Sequence, residues 1–188
     1  HDPRGFCGER GNVFHPAPCP FGIPYRAMYS VNVENLFCAG RNISATHAAM
    51  SATRVMATCA TIGQAVGTAA AIAARDGLTP RGVYEQRLEE LLDRLQFDDA
   101  WLPFRRRAIP ALTEQAAATH EVLRNGYDRP QNGQDNGCRL AFGKTACYDF
   151  GAPRRVRVCR IILDSDLERT SCDGDATLRT YPMVCNKY

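Results

Sequence analysis

Arg41, His47 and Arg54 are side chains suited to act on a small charged molecule. A guanidinium grips a carboxylate or phosphate through two parallel N–H donors. An imidazole exchanges a proton near neutral pH. The stretch that carries them adds backbone groups with a chemistry of their own. Glu34 to Ala39 reads as a short apolar strand, Gly40 ends it, and Arg41, Asn42, Ile43 and Ser44 form a polar turn. Thr53, Val55, Met56 and Ala57 then open a long helix made mostly of small residues. The first N–H groups of a helix lack intrahelical acceptors and together carry about half a positive charge. A glycine lets a ligand approach the backbone closely, and a helix start behind it receives an anion. This is how a nucleotide-type cofactor domain ends a strand. Each feature also has a plainer reading. The arginines serve equally as partners in ion pairs, His47 as a hydrogen bond that ties its loop, Gly40 as an ordinary strand-to-loop glycine, and the helix start as one capped by Ser or Thr.

The elements that must hold these residues follow from the pattern around them. Ile23 to Tyr29 reads as an edge strand, since Pro24 cannot donate to a central ladder. The long helix is expected to begin near Ser51 to Thr53, where a hydroxyl can cap it, and to end near Arg75, with Gly77 as its left-handed terminator. Gly63 and Gly67 share a face. Each costs a helix about 1 kcal/mol relative to Ala, so a close approach to a sheet or cofactor is the expected compensation. Val55 to Ala73 carries no charge and is long enough to span a bilayer. Its Ala, Thr and Gly content favours a buried helix of a soluble domain, and no membrane partner is expected. Thr79 and Pro80 form a cap and first-turn pair. Tyr84, Leu88, Leu91, Leu92 and Leu95 follow helical spacing and predict an amphipathic helix. Beyond the linker from Asp98 to Pro110 the composition shifts. Asn125-Gly126, Asn132-Gly133 and Asn136-Gly137 are turn signals, and Arg155 to Leu163 alternates as a half-buried strand does. A domain boundary is therefore expected near residue 112.

Composition excludes little. The chain has 188 residues, 45% of them hydrophobic and 23% charged, with a net charge of +3. That charge gives no reason to expect a nucleic-acid partner, and Arg105-Arg106-Arg107 reads as a solvated loop face. The nine cysteines include no C-x-x-C pair, so neither zinc nor iron–sulfur spacing is present, and no metal is expected. The odd count does not suit a closed disulfide framework. Cys38 and Cys59 read as small buried hydrophobes. Asp164-Ser-Asp166 has the look of a calcium-type cluster, but two carboxylates are too few to specify a site.

Several motifs stand in order: Ile23-Pro-Tyr-Arg26, Val33-Glu-Asn-Leu-Phe37, Ala39-Gly-Arg-Asn-Ile-Ser44, Thr46-His47, Thr53-Arg-Val-Met56, Thr58-Cys59 and Gly63-Gln-Ala-Val-Gly-Thr-Ala69. Asp98-Asp-Ala-Trp-Leu-Pro103 continues the series. Through them residues 22 to 103 resemble the C-terminal part of the FAD-dependent oxidoreductases that sit near the fumarate reductase flavoproteins and the flavin subunit of heterodisulfide reductase. From about Thr119 the chain resembles a galactose-binding-like β-sandwich, through Asn125-Gly-Tyr-Asp-Arg-Pro130, Tyr148-Asp-Phe-Gly-Ala-Pro153 and Ile161-Ile-Leu-Asp-Ser-Asp-Leu-Glu-Arg169.

The resemblance implies an α/β fold: the closing part of a Rossmann-like FAD-binding domain over residues 1–112, then an incomplete all-β sandwich over 113–188. It implies FAD as cofactor, a small-molecule substrate, and hydride or electron transfer between the two. Gly40, Arg41, Asn42, Ile43 and Ser44 would pass beside the ribityl and pyrophosphate groups. Thr53, Val55, Met56 and Ala57 would bring a helix start to the N1/O2 edge, where reduced flavin is negative. His47 and Arg54 would be catalytic. The G-x-G-x-x-G turn with which such domains open is not in the sequence. The expectation is thus a fragment, inactive alone, whose further partner is an N-terminal part of the same protein. The competing expectation is a carbohydrate-binding sandwich module, or a remnant scaffold without activity.

Overall fold

The structure is a computed structural model that describes residues 21–131 and 133–163. Cys7, Cys19, Cys172 and Cys185, four of the nine cysteines, and the Asp164-Ser-Asp166 cluster lie outside these residues. The chain divides into two compact units, one through Ala108 and one from Ile109.

The first unit is built on helices: α1 (His47–Thr53), α2 (Met56–Asp76), α3 (Pro80–Gln86) and α4 (Leu88–Phe97). Helix α2 is the spine, because its apolar side chains recur at helical spacing and serve two clusters. Ala69, Ile72 and Ala73 pack with Val83 of α3, Leu91 and Leu95 of α4, and Ala100. About two to three turns earlier, Ile62 packs with Met28 and Ile43, flanked by Ala39 and Met50. Burying a side chain such as Leu91 or Ile62 contributes about 1.5–3 kcal/mol, so both ends of α2 are anchored independently. The helix is long and apolar enough to cross a membrane by length and composition alone. Its charge-free run nonetheless supplies the core residues of this unit, Ile62, Ala69, Ile72 and Ala73. Thr61 and Thr68 turn their hydroxyls back to the carbonyls of Ala57 and Gln64, at 3.1 and 2.9 Å.

The expected terminators are where the sequence puts them. Gly77 closes α2 at φ +64°, a left-handed conformation that glycine adopts without steric cost. The Thr79 hydroxyl accepts from the Gly82 N–H at 3.0 Å, and Pro80 fills the first turn of α3. Three other readings need correction. The single helix expected from Ser51 is two helices, broken at Arg54 and Val55. The amphipathic helix is likewise broken at Arg87, which ends α3 and begins α4. Neither Gly63 nor Gly67 approaches a neighbour: a Cβ at either would meet nothing within 4 Å among the described residues. The face they share is exposed.

Both expected strands of this unit shrink to one bridge. Tyr25–Met28 is a 3-10 turn, and only Tyr29 and Phe37 pair, antiparallel. The turn is fixed by its aromatic ring, since the Tyr25 hydroxyl donates to the Pro80 carbonyl at 2.9 Å and the ring stacks on Tyr84. Burial, then the neighbouring Tyr29, pushes the Tyr25 phenol above its usual range.

The second unit holds α5 (Ala111–Gln115) and a two-stranded antiparallel sheet of β1 (Ala117–Ala118) and β2 (Tyr148–Asp149). Arg124 organises it. Its guanidinium donates to the carbonyls of Thr113, Glu114 and Ala116 at the end of α5, and pairs with Glu121 at 2.6 Å. Gly126 turns the chain at φ +85°, and Asn125 accepts from the Tyr127 N–H at 2.8 Å. The sandwich expected here is not formed among the described residues. Residues 155–163 belong to no strand, and Val156, Val158, Ile161 and Leu163 stay more than half exposed. Alternation makes a segment fit a ladder; the ladder needs a partner strand, and the described residues supply none.

The junction of α2, α3 and α4 is tied by charge. Arg75 bridges Asp76 and Glu90, each at 2.6 Å, and Arg87 reaches Asp76 at 2.8 Å. These two guanidiniums, Arg75 first, hold the Asp76 carboxyl well below its ordinary value of 3.8. A carboxyl whose folded value is depressed contributes stability that is complete above the unfolded value and lost as the pH falls through the folded one. Asp76→Asn should therefore lower the melting temperature at pH 7 and flatten its decline below about pH 4. Melting curves of the two proteins that stay parallel from pH 7 to pH 2 would show that this cluster does not tie the helices.

Candidate functional site

The residues singled out for chemistry gather where the 3-10 turn Gly40–Asn42 meets α1 and the first turn of α2. The turn is held from below by Ile43, which is buried against Met28 and Ile62. It is held from behind by the Ser44 N–H, which donates to the Ala27 carbonyl at 2.8 Å. Gly40 has φ +62°, and a Cβ there would stand 3.9 Å from the Cβ of Cys59, inside the first turn of α2. Glycine is needed for its backbone conformation rather than for space.

Helix α1 begins at His47, with the Thr46 hydroxyl accepting from the Ala49 N–H at 3.3 Å. Thr53, at its far end, is buried, and its hydroxyl bonds the Ala49 carbonyl at 3.3 Å. Thr53 is thus an internal residue of α1, not the start of the long helix. Arg54 and Val55 form the break. Val55 takes the N-cap position of α2 in extended conformation, and no side chain caps the helix there. The first turn of α2 carries no acid, and Val55 and Met56 are 57% and 85% exposed. The result is a 21-residue helix whose positive end is open.

Two contacts cross the break. The Arg41 Nε donates to the Arg54 carbonyl at 3.4 Å, and the Cys59 thiol to the Thr53 carbonyl at 3.6 Å. Cys59 is half-buried and does more than fill space. The sequence reading missed this role, although the position of Cys59 in the first turn of α2 was a usable signal. His47 and Arg54 do not form one constellation around α1. Seven residues of helix separate them, about 10 Å along the axis, and both are exposed.

Arg26 and Arg105 have structural partners. Arg26 lies over the Tyr84 ring at 5.8 Å. Arg105, from the basic run, is paired with Glu89 and Asp93 at 2.8 and 2.7 Å. Burial works against its charge, yet the two carboxylates outweigh that and raise its pKa. No group of three or more metal-binding side chains occurs among the described residues.

An uncapped helix start beside a left-handed glycine turn offers backbone donors to an anion. Residues 1–95 match the model of the FAD dependent oxidoreductase family. That is half of the chain, and the chain belongs to this family. Its cofactor is FAD and its function is flavin redox chemistry. The match fits a Rossmann-like FAD-binding region that is helix-rich over the described residues. No curated protein and no solved structure matches the chain.

The residues present fit the cofactor. The open end of α2 offers backbone donors without a competing carboxylate, and Gly40 adds no side chain where the turn begins. Gly40→Ala should cost about 1–2 kcal/mol, the strain of a left-handed L-residue, because the new Cβ has room. A thermal melt of the chain checks this. An unchanged melting temperature would mean that the turn relaxes and does not hold Gly40 in place.

Proposed function

We propose that the chain supplies one wall of the FAD site of an oxidoreductase that acts on a small-molecule substrate. The observation that carries this reading is the uncapped, acid-free start of α2 against the Gly40 turn, inside the matched residues. Gly40, Arg41, Asn42, Ile43 and Ser44 line the ribityl and pyrophosphate side. In this lining Ile43 acts from beneath, through the buried contacts that set the turn. Val55, Met56 and Ala57 present backbone N–H groups to the pyrimidine edge. Thr53 acts through packing at the end of α1 rather than as a donor, since its hydroxyl is spent on Ala49.

FAD supplies the hydride or electron chemistry when bound. The chain's own part is orientation, charge stabilisation and proton handling. The partial positive charge at the α2 start favours whichever flavin state carries more negative charge. Arg54, exposed at the break, would hold an anionic group of the substrate. His47, exposed at the start of α1, would give or take the proton that accompanies reduction. The fumarate reductase and heterodisulfide reductase flavoproteins are the kin that the motifs suggest. An N-terminal part of the same protein, bearing a glycine-rich turn, would complete the pyrophosphate site.

In the flavin-loaded protein, His47→Ala should leave FAD bound and slow flavin reduction by the native substrate by about 10²–10⁴. Stopped-flow absorbance at the flavin band reads this. If reduction keeps its rate while the loop from Gly40 to Thr46 becomes sensitive to protease, His47 serves the loop and not the chemistry.

A further inference from the structure

Helix α1 ends where α2 begins, so the negative end of one helix is set beside the positive end of the other. Carbonyls at the end of α1 and N–H groups at the start of α2 carry opposite partial charges. An anion drawn to the start of α2 would be repelled by bare carbonyls next to it. Two carbonyls at this junction, those of Thr53 and Arg54, each receive a donor from a different element. Cys59, from the first turn of α2, reaches the Thr53 carbonyl at 3.6 Å. Arg41, from the turn, reaches the Arg54 carbonyl at 3.4 Å. The N–H groups at the start of α2 receive no such partner from a side chain.

We infer that Cys59 and Arg41 are positioning residues that mask the carbonyl end of α1, so that an anionic flavin edge at the start of α2 meets donors alone. The inference rests on the reading that this helix start receives the flavin. It assigns no direct flavin contact to Cys59, whose thiol points back across the break. Gly40 precedes Arg41 in the turn, and its left-handed backbone, φ +62°, leads the chain into Arg41.

The test uses the flavin-loaded protein and reads the midpoint potential of the bound FAD by spectroelectrochemistry, together with the FAD dissociation constant. Cys59→Ala removes the donor and uncovers the Thr53 carbonyl. Cys59→Ser keeps a donor of similar size. The expected result is a potential shifted to more negative values in Cys59→Ala, with weaker FAD binding, and recovery of the wild-type potential in Cys59→Ser. A purely structural role would lower stability without separating Ala from Ser in potential. Val55→Asp, which adds a carboxylate at the α2 start, separates the two levels of the argument. If Val55→Asp changes neither potential nor affinity, the flavin is not at this helix start and the functional reading fails. If Val55→Asp shifts both while Cys59→Ala, Cys59→Ser and the wild type agree, the site stands and the masking role is overturned. Should Cys59→Ala fail to fold, Cys59→Val, which keeps the bulk and lacks the donor, carries the same comparison against Cys59→Ser.

Discussion

Everything in the first unit depends on α2 being buried at two places along its length. Ile62 fixes one end of it against Met28 and Ile43, and Ile72 and Ala73 fix the other against Val83, Leu91 and Leu95. The first contact sets the Gly40 turn against the opening turn of the helix. The second sets the helix against α3 and α4, and the Arg75, Asp76, Arg87 and Glu90 charges close that junction. A helix held only at its far end could swing its start away from the turn. With Ile62 also anchored, the open N–H groups keep their place beside Gly40 without any side chain to hold them.

That arrangement separates packing from chemistry along a single element. The buried side chains of α2 lie from Ile62 onward, and its exposed residues at Val55 and Met56 precede them. The break at Arg54 and Val55 is what exposes the helix start. Had α1 and α2 run on as one helix, the carbonyls of α1 would have taken the N–H groups of α2 and the positive end would not exist. The two-residue break therefore leaves the start of the helix without a capping partner from any side chain.

The legible parts of the sequence were those governed by local chemistry. Gly77, Thr79 and Pro80 end and begin helices through rules that need only a few neighbours. The matched motifs from Gly40 to Ala69 revealed the family because they recur as a block. The break at Arg54 was not legible, since nothing in Thr53-Arg-Val-Met56 forbids helix; it is set by contacts from Arg41 and Cys59, which come from elsewhere. Gly63 and Gly67 suggested a close neighbour by their spacing, yet glycine permits such an approach without specifying it. The alternation of residues 155–163 likewise describes what a strand would bury, whereas forming one takes a partner. Glu34 to Ala39 illustrates the same limit, with Phe37 alone finding a bridge partner in Tyr29.

The central claim is that FAD meets this chain at the Gly40 turn and the start of α2. Hydrogen exchange, resolved by peptide and followed as the whole protein takes up FAD, tests it most directly. The account predicts that amides from Gly40 to Ser44 and from Val55 to Thr58 gain protection, while those of α3 and α4 keep the exchange rates they had. Protection that arises elsewhere, with both of these segments exchanging as before, would contradict it.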